Sequence, residues 1–230
     1  MKLALVGYGR MGRMIEQLAP EYGFETALKL DEWNNAGGAG ITPENFRGID
    51  VAIEFSVPAA VVSNIERLAA VGVNTVAGTT GWHSELARVR EIVEEKGIGL
   101  VWSPNYSVGV NVFFRLVREA ARLLEPQPGY SAWGWEIHHR TKKDAPSGTL
   151  LKLVDEMRRA GYSHAIDVSS NRAGAHPGTH EIGFDSAADT LTLRHTTRSR
   201  EGFARGALQA AQWVTGKKGF FEFSEILFGK

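Results

Sequence analysis

The sequence predicts an α/β chain, in which a Rossmann-like domain with a parallel sheet is joined to a smaller α+β domain with an open mixed sheet. Three observations predict it. Short apolar runs alternate with helix-period segments over the first hundred residues. A glycine turn, Gly7-Tyr8-Gly9-Arg10-Met11-Gly12, stands between the first run and the first helical segment. After Tyr106 the pattern becomes one long helical stretch followed by strands of alternating polarity.

Residues 2–6 are apolar and stop at Gly7, as a buried parallel strand does. Residues 10–19 follow with Met11, Met14, Ile15 and Leu18 as a helical stripe. Residues 24–30 and 51–55 read as the second and third strands. Pro58 opens a helix carrying Val61, Val62, Ile65, Leu68 and Ala69, closed by Gly72. Residues 73–77 form a further strand, Ser84 caps a helix that ends near Gly97, and residues 98–102 return to strand. Residues 108–124 are a helix stopped by Pro126 and Pro128. Residues 130–138 alternate, with Trp133, Trp135 and Ile137 on one face, read as core, and Glu136 and His138 on the other. A helix starting near Pro146 to Thr149 runs to Gly161, residues 180–185 and 189–196 form a hairpin, and residues 201–214 are a last helix closed by Gly216. The stretches 34–40 and 171–180 have loop composition.

Composition excludes several functions. Lys and Arg number 26 against 26 Asp and Glu, which argues against a nucleic-acid partner. No apolar run is long enough for a membrane span, and MKLALVGYGRMG lacks a cleavage site, so it reads as structure. Zero cysteines rule out disulfides and thiolate chemistry and fit a cytoplasmic location.

In the glycine turn the first Gly allows the tight bend, the second admits a pyrophosphate to the backbone, and the third lets helix pack on strand. The helix N-terminus supplies free amides. Asp31 falls at the end of the second strand, where an acid binds ribose hydroxyls. Asp31 and Glu32 repel a 2′-phosphate, so NADH is expected over NADPH, although Lys29 and Arg10 lie nearby in sequence. The turns Gly78-Thr79-Thr80-Gly81 and Ser103-Pro104-Asn105-Tyr106 fall at carboxyl ends of strands, where open α/β sheets bind ligands.

The stretch EIHHRTKKDAPSGTLL concentrates His138, His139, Arg140, Lys142 and Lys143 ahead of Ser147-Gly148-Thr149, which begins a helix. Cations beside free helix amides form a receptor for a small dianion. His and Lys groups crowded with other cations are expected to have lowered pKa values, which suits proton transfer near neutrality. A metal set of Glu136, His138, His139 and His180 has no recognisable ligand spacing, and no metal is expected. Arg140 and Lys143 are not separable from solvated charge.

GYGRMG, EFSVP (54–58), AGTTGW (77–82), SPNYSVGVNV (103–112) and HHRTKKDAPSGT together resemble the 4-hydroxy-tetrahydrodipicolinate reductase, or dihydrodipicolinate reductase, family over nearly the whole chain. The resemblance implies NADH- or NADPH-dependent reduction of a cyclic imine carrying two carboxylates, in diaminopimelate and lysine biosynthesis. It implies His138 as general acid, Lys142 as its partner, and His139, Ser147, Gly148 and Thr149 as substrate contacts. The dinucleotide contacts it implies are Gly7, Tyr8, Gly9, Arg10, Met11, Gly12, Asp31, Phe55, Ser56, Gly78, Thr79, Thr80, Ser103, Pro104, Asn105 and Tyr106. It further implies a nucleotide domain of residues 1–106 and 201–230, a substrate and oligomerisation domain of residues 107–200, and a homo-oligomer, a tetramer by family or a dimer. The segment 161–189 is shorter than in long family members, and an extra strand is expected to be missing there. A related imine or amino-acid dehydrogenase for another dicarboxylate is the alternative enzyme. A non-catalytic nucleotide sensor is the alternative of another class.

Overall fold

The computed structural model describes residues 1–229 and divides the chain into two compact units. The first comprises Met1–Val108 and the chain from Glu201; the second is Gly109–Arg200.

In the first unit, β1 (Lys2–Val6), α1 (Arg10–Leu18), β2 (Glu25–Leu30), β3 (Val51–Glu54), α2 (Val61–Ala70), β4 (Asn74–Ala77), α3 (Leu86–Lys96) and β5 (Gly99–Trp102) alternate as the apolar periodicity requires. The strands share one sheet with β10 (Gly219–Glu222), in the order β10-β5-β4-β3-β1-β2, every pair parallel. Chain order reverses beside β1, which makes the carboxyl ends of β1 and β3 the switch point where such sheets bind ligands. Both faces are covered. On one, Ile15 of α1 and Ala204, Ala207, Leu208, Ala211 and Val214 of α6 (Glu201–Val214) meet Leu3, Leu5, Ile53, Val76 and Val101. On the other, Val61 and Ile65 of α2 and Val89 and Val93 of α3 pack with Ala77 and Leu100. The last helix, α7 (Phe223–Phe228), starts with a capping box between Glu222 and Glu225.

The second unit contains α4 (Val108–Leu124), β6 (Ser131–His138), α5 (Gly148–Arg159), β7 (Ile166–Arg172), β8 (Thr179–Asp185) and β9 (Thr190–Thr196). Its mixed sheet runs β7-β6-β8-β9, with β6 and β7 parallel and the other pairs antiparallel. Val110, Phe113, Phe114 and Val117 of α4 and Leu150, Leu153 and Met157 of α5 form its core with Ala132, Ile182 and Phe184.

Four expectations need correction. β7 was not anticipated, because IDVSSNR is a mostly exposed edge strand without apolar alternation. Strand β7 lies within segment 161–189. β10 is only four residues long and begins at a glycine, which hides it from pattern reading. Glu85, not Ser84, occupies the N-cap position of α3, after a short 3₁₀ turn. The faces of β6 are the reverse of the reading from polarity: Ala132, Gly134, Glu136 and His138 are buried, whereas Trp133, Trp135 and Ile137 are half-exposed. The indoles donate to Asp185 Oδ2 at 2.7 Å and Asn171 Oδ1 at 2.6 Å, and Trp133 lies over Gly183, where a Cβ would collide with it.

Tyr106 anchors the first unit. It is fully buried, and its hydroxyl lies 3.0 Å from Ala77 O and 2.9 Å from Val101 O, at the ends of β4 and β5. Gly206 of α6 abuts the Tyr106 carbonyl so closely that no Cβ fits. We expect Gly206→Ala to cost about 1–3 kcal/mol through overpacking, read as a lower urea midpoint with an unchanged m-value.

Candidate active site

In the first unit the glycine turn performs its three roles separately. Gly7 has φ +93°, and a Cβ there would strike the Phe55 carbonyl. A Cβ on Gly12 would lie 2.6 Å from the Gly7 carbonyl oxygen, so this glycine sets the close packing of α1 on its strand. Gly9 has open space where its side chain would be, and no side chain caps α1. The first-turn amides of α1 thus face free volume, the condition for receiving a phosphate.

A cavity of about 640 Å³ is lined by Gly7, Gly9, Asp31, Glu32, Phe55 and Ser56, among others. A second recess of about 390 Å³ is lined by Gly9, Arg10, Met11, Phe55, Ser56, Gly78, Thr79 and Thr80. Asp31 Oδ1 accepts from the Glu32 amide at 2.9 Å, and the Asp31 amide donates to Asn34 Oδ1 at 2.6 Å. These residues fit a dinucleotide: free amides for pyrophosphate, acids for ribose and a recess beyond. One arginine was not foreseen. Arg67 of α2 packs against Gly38, which lines the larger cavity.

Other expected contacts lie outside both recesses. Tyr8 hydrogen-bonds Glu16 through its hydroxyl, with the Lys29 ammonium 5.2 Å from its ring centroid. Gly12 serves packing. The Ser103 hydroxyl accepts from the Asn105 amide at 3.1 Å, Asn105 Oδ1 accepts from the Ser107 amide at 2.9 Å, and Pro104 is exposed. These contacts brace the turn that leads into Tyr106, whose side chain belongs to the core. Sequence reading also missed Glu54, fully buried at the end of β3. It accepts from Asn64 Nδ2 at 3.3 Å and from the hydroxyl and amide of Ser56, and burial raises its pKa. Glu54 thereby shapes the cavity wall at Ser56.

In the second unit the register of β6 builds the other cluster. Glu136 and His138 are two residues apart on the buried face; His180 of β8 pairs with Glu136, and Arg172 of β7 pairs with His138. Glu136 is fully buried. Its Oε1 accepts from the Ser147 amide at 2.9 Å and from Arg172 Nη2 at 2.9 Å. Its Oε2 lies 3.3 Å from both His138 Nδ1 and His180 Nε2, close but not aligned as hydrogen bonds. Burial opposes ionisation of Glu136, yet the hydrogen bonds from Ser147 and Arg172 outweigh it and hold the pKa at about 2. Burial pulls His180 down to about 4, helped by His138. The pKa of His138 is also lowered, first by burial and then by Lys142 and Arg172, against the pull of Glu136. The expected direction for His138 is correct; its leading cause is desolvation.

Ser147 caps α5, its hydroxyl accepting from the Leu150 amide at 3.2 Å, while Gly148 is exposed and Thr149 half-buried. Asp144, unforeseen, accepts from Lys142 Nζ at 2.8 Å and from the Gly148 amide. His139 Nδ1 is 2.8 Å from the Thr141 hydroxyl. Arg140 and Lys143 are exposed. One ligand atom from each of Glu136, His138 and His180 lies within 4.8 Å of the others, a spacing that suits a cation, but His139 is not among them and the Arg172 guanidinium already pairs with the carboxylate. A second cation there would meet Arg172's charge, so the group reads as a buried carboxylate paired with Arg172 and flanked by two imidazoles.

A dinucleotide turn at a parallel-sheet switch point, in a chain that also carries imidazoles and an ammonium beside a helix N-terminus, belongs to the class of nicotinamide-nucleotide oxidoreductases. Residues 1–106 match the family model described as dihydrodipicolinate reductase, N-terminus, and residues 109–227 match the model of its C-terminus. The chain belongs to the dihydrodipicolinate reductase family. It is 35% identical to 4-hydroxy-tetrahydrodipicolinate reductase of Christiangramia forsetii, covering 99% of this chain and 98% of that one. It is 36% identical to the enzyme of that name from Methanoregula boonei, covering 95% and 94%. In fold it is similar to a dipicolinate-bound dihydrodipicolinate reductase from Paenisporosarcina sp. TG-14, with a TM-score of 0.82 at 21% identity over 98% and 99% of the two chains. As a member of this family the chain is an oxidoreductase of lysine and diaminopimelate biosynthesis that uses a nicotinamide nucleotide. No helix among the described residues is long and apolar enough to cross a membrane.

The cluster predicts how stability varies with pH. Free histidine titrates near 6.5 and His180 near about 4, so between these values the unfolded chain binds more protons and stability falls as pH falls. Glu136 extends the loss below its ordinary 4.5, toward about 2. Urea midpoints measured between pH 7 and 4 should decline steadily, and His180→Gln should flatten that decline.

Proposed function

We propose that this chain reduces the dihydrodipicolinate-type cyclic imine derived from 4-hydroxy-tetrahydrodipicolinate to tetrahydrodipicolinate, with NADH favoured over NADPH. The observation that carries the reading is the group formed by His138, Lys142 and the Ser147-Gly148-Thr149 helix start, within a chain matched by the family over nearly its full length. The first unit is the nucleotide-binding part, and the second binds substrate and makes the subunit contacts.

A bound dihydronicotinamide supplies a hydride. The chain's residues provide the rest. Gly148 and Thr149 offer α5 amides, and with His139 they hold the substrate's carboxylates. Lys142, which pairs with Asp144 in the structure, exchanges that partner for the substrate and neutralises charge beside the reacting atoms. His138 gives up a proton to the reduced substrate and regains it from solvent. Asp31 and Glu32 line the cavity wall and disfavour a 2′-phosphate, and Arg67 against Gly38 is the cation that softens this preference. The sheet face bearing Trp133, Trp135 and Ile137, half-exposed with two large aromatics, supports a homo-oligomer joined through that face. Zero cysteines support a cytoplasmic location.

The direct test is oxidation of NADH, then NADPH, with freshly generated product of dihydrodipicolinate synthase. Turnover with both, and a higher kcat/KM for NADH, is expected; no oxidation with either nucleotide would favour a related dehydrogenase of another dicarboxylate. Lys142→Ala should lower kcat by ~10²-fold or more while leaving NADH binding nearly unchanged. Wild-type turnover in that variant would remove Lys142 from the chemistry.

A further inference from the structure

Glu136 has a place in the geometry that the reaction as described does not use. It is a fully buried carboxylate, and its two oxygens face different parts of the site. Oε1 takes the Ser147 amide and the Arg172 guanidinium, and so is tied to the start of α5. Oε2 faces His138 Nδ1 at 3.3 Å, a nitrogen that is buried and has no other partner. A neutral imidazole has one N–H, and a carboxylate beside one nitrogen draws the proton to that nitrogen. The other nitrogen, Nε2, borders Gly178, whose φ of +136° and missing side chain keep that edge clear: a Cβ there would sit 3.0 Å from Nε2.

We propose that Glu136 is the positioning residue of the proton-donating step: it fixes His138 with its Nδ1–H toward the carboxylate, so that Nε2 is the nitrogen that hands over the proton, and it holds that ring in register with the substrate-binding start of α5. The proposal rests on His138 being the acid. The step balances simply. Hydride adds to the unsaturated substrate as dihydronicotinamide is oxidised to nicotinamide; the proton on Nε2 of the imidazolium passes to the reduced substrate; the ring is left neutral with its proton on Nδ1 and is recharged from solvent.

The groups that face His138 are Glu136 on its own strand, Lys142 and Asp144 from the following loop, Arg172 from β7 and His180 from β8. Lys142 and Arg172 disfavour the imidazolium, whereas Glu136 and Asp144 favour it. His180 is buried with its ring centroid 5.0 Å from that of His138, and its Nε2 lies 3.0 Å from the Ser147 hydroxyl. Staying neutral, it does not compete for the proton and props the carboxylate from the β8 side.

The test uses the full-length enzyme with its nucleotide. Glu136→Gln keeps an acceptor for Ser147 and Arg172 but removes the charge. We expect kcat to fall ~10–100-fold, NADH affinity to hold, and the alkaline limb of the kcat–pH profile to move to lower pH, because the imidazolium has lost its counter-charge. Glu136→Asp should restore the limb even where kcat stays reduced, which lost packing alone would not do. Nitrogen-15 NMR of the wild-type enzyme decides the matter if Glu136→Gln fails to fold: neutral His138 should carry its proton on Nδ1. An Nε2–H tautomer, or Glu136→Gln with an unmoved pH limb and full turnover, would overturn the proposal. Full turnover in His138→Gln would instead sink the assignment of the acid itself, so the two failures are told apart.

Discussion

The second unit is organised around one buried charge. A carboxylate removed wholly from water is costly unless cations and aligned donors surround it. Around Glu136 those partners come from separate stretches of chain, the Ser147 amide at the start of α5 and Arg172 from the parallel neighbour β7, while the neutral ring of His180 from β8 sits 3.3 Å from the other oxygen. Neither the amide nor the guanidinium can shift alone without leaving the carboxylate underpaired. The same constraint that places α5 against β6 therefore also fixes the His138 ring and the helix start two residues and one loop away. Gly134 belongs to this logic: its bare α-carbon lets Leu150 of α5 approach β6, and any Cβ would lie 3.1 Å from that side chain.

Much of this was legible in the chain. Glycines with distinct jobs at positions 7, 9 and 12 announce a strand–turn–helix junction, and helical stripes such as 108–124 and 201–214 are long enough to be read to the residue. The site's first members, His138, Lys142 and Ser147 to Thr149, lie in one continuous stretch, so they too were visible. Arg172 and His180 were harder to find. They reach the site through strand register, and β7 has too little apolar alternation to reveal itself as a strand. Asp144 lay inside the motif and was overlooked because its role is local pairing with Lys142.

Polarity misled most clearly on β6. Two tryptophans and an isoleucine on one face suggest a core, yet the charged face is the buried one. Burial of a charge cannot be read from hydropathy, because it depends on partners supplied by other strands. The indoles are accommodated by their N–H donors, by acceptors on flanking strands, and by Gly183 beneath Trp133. A similar inversion holds at Glu54, an acid at the end of an otherwise apolar strand that turns out to brace Ser56.

The anchoring of Tyr106 by α6 has a consequence for how the molecule is made. The part of the parallel sheet's face that α6 covers stays open until the chain has been synthesised well past residue 200, and β10 completes the sheet's edge later still. The half begun first is thus the half finished last. A nascent chain carries an uncovered apolar surface while the whole of the second unit is synthesised between the two parts of the first. The strands made first therefore wait longest for their cover.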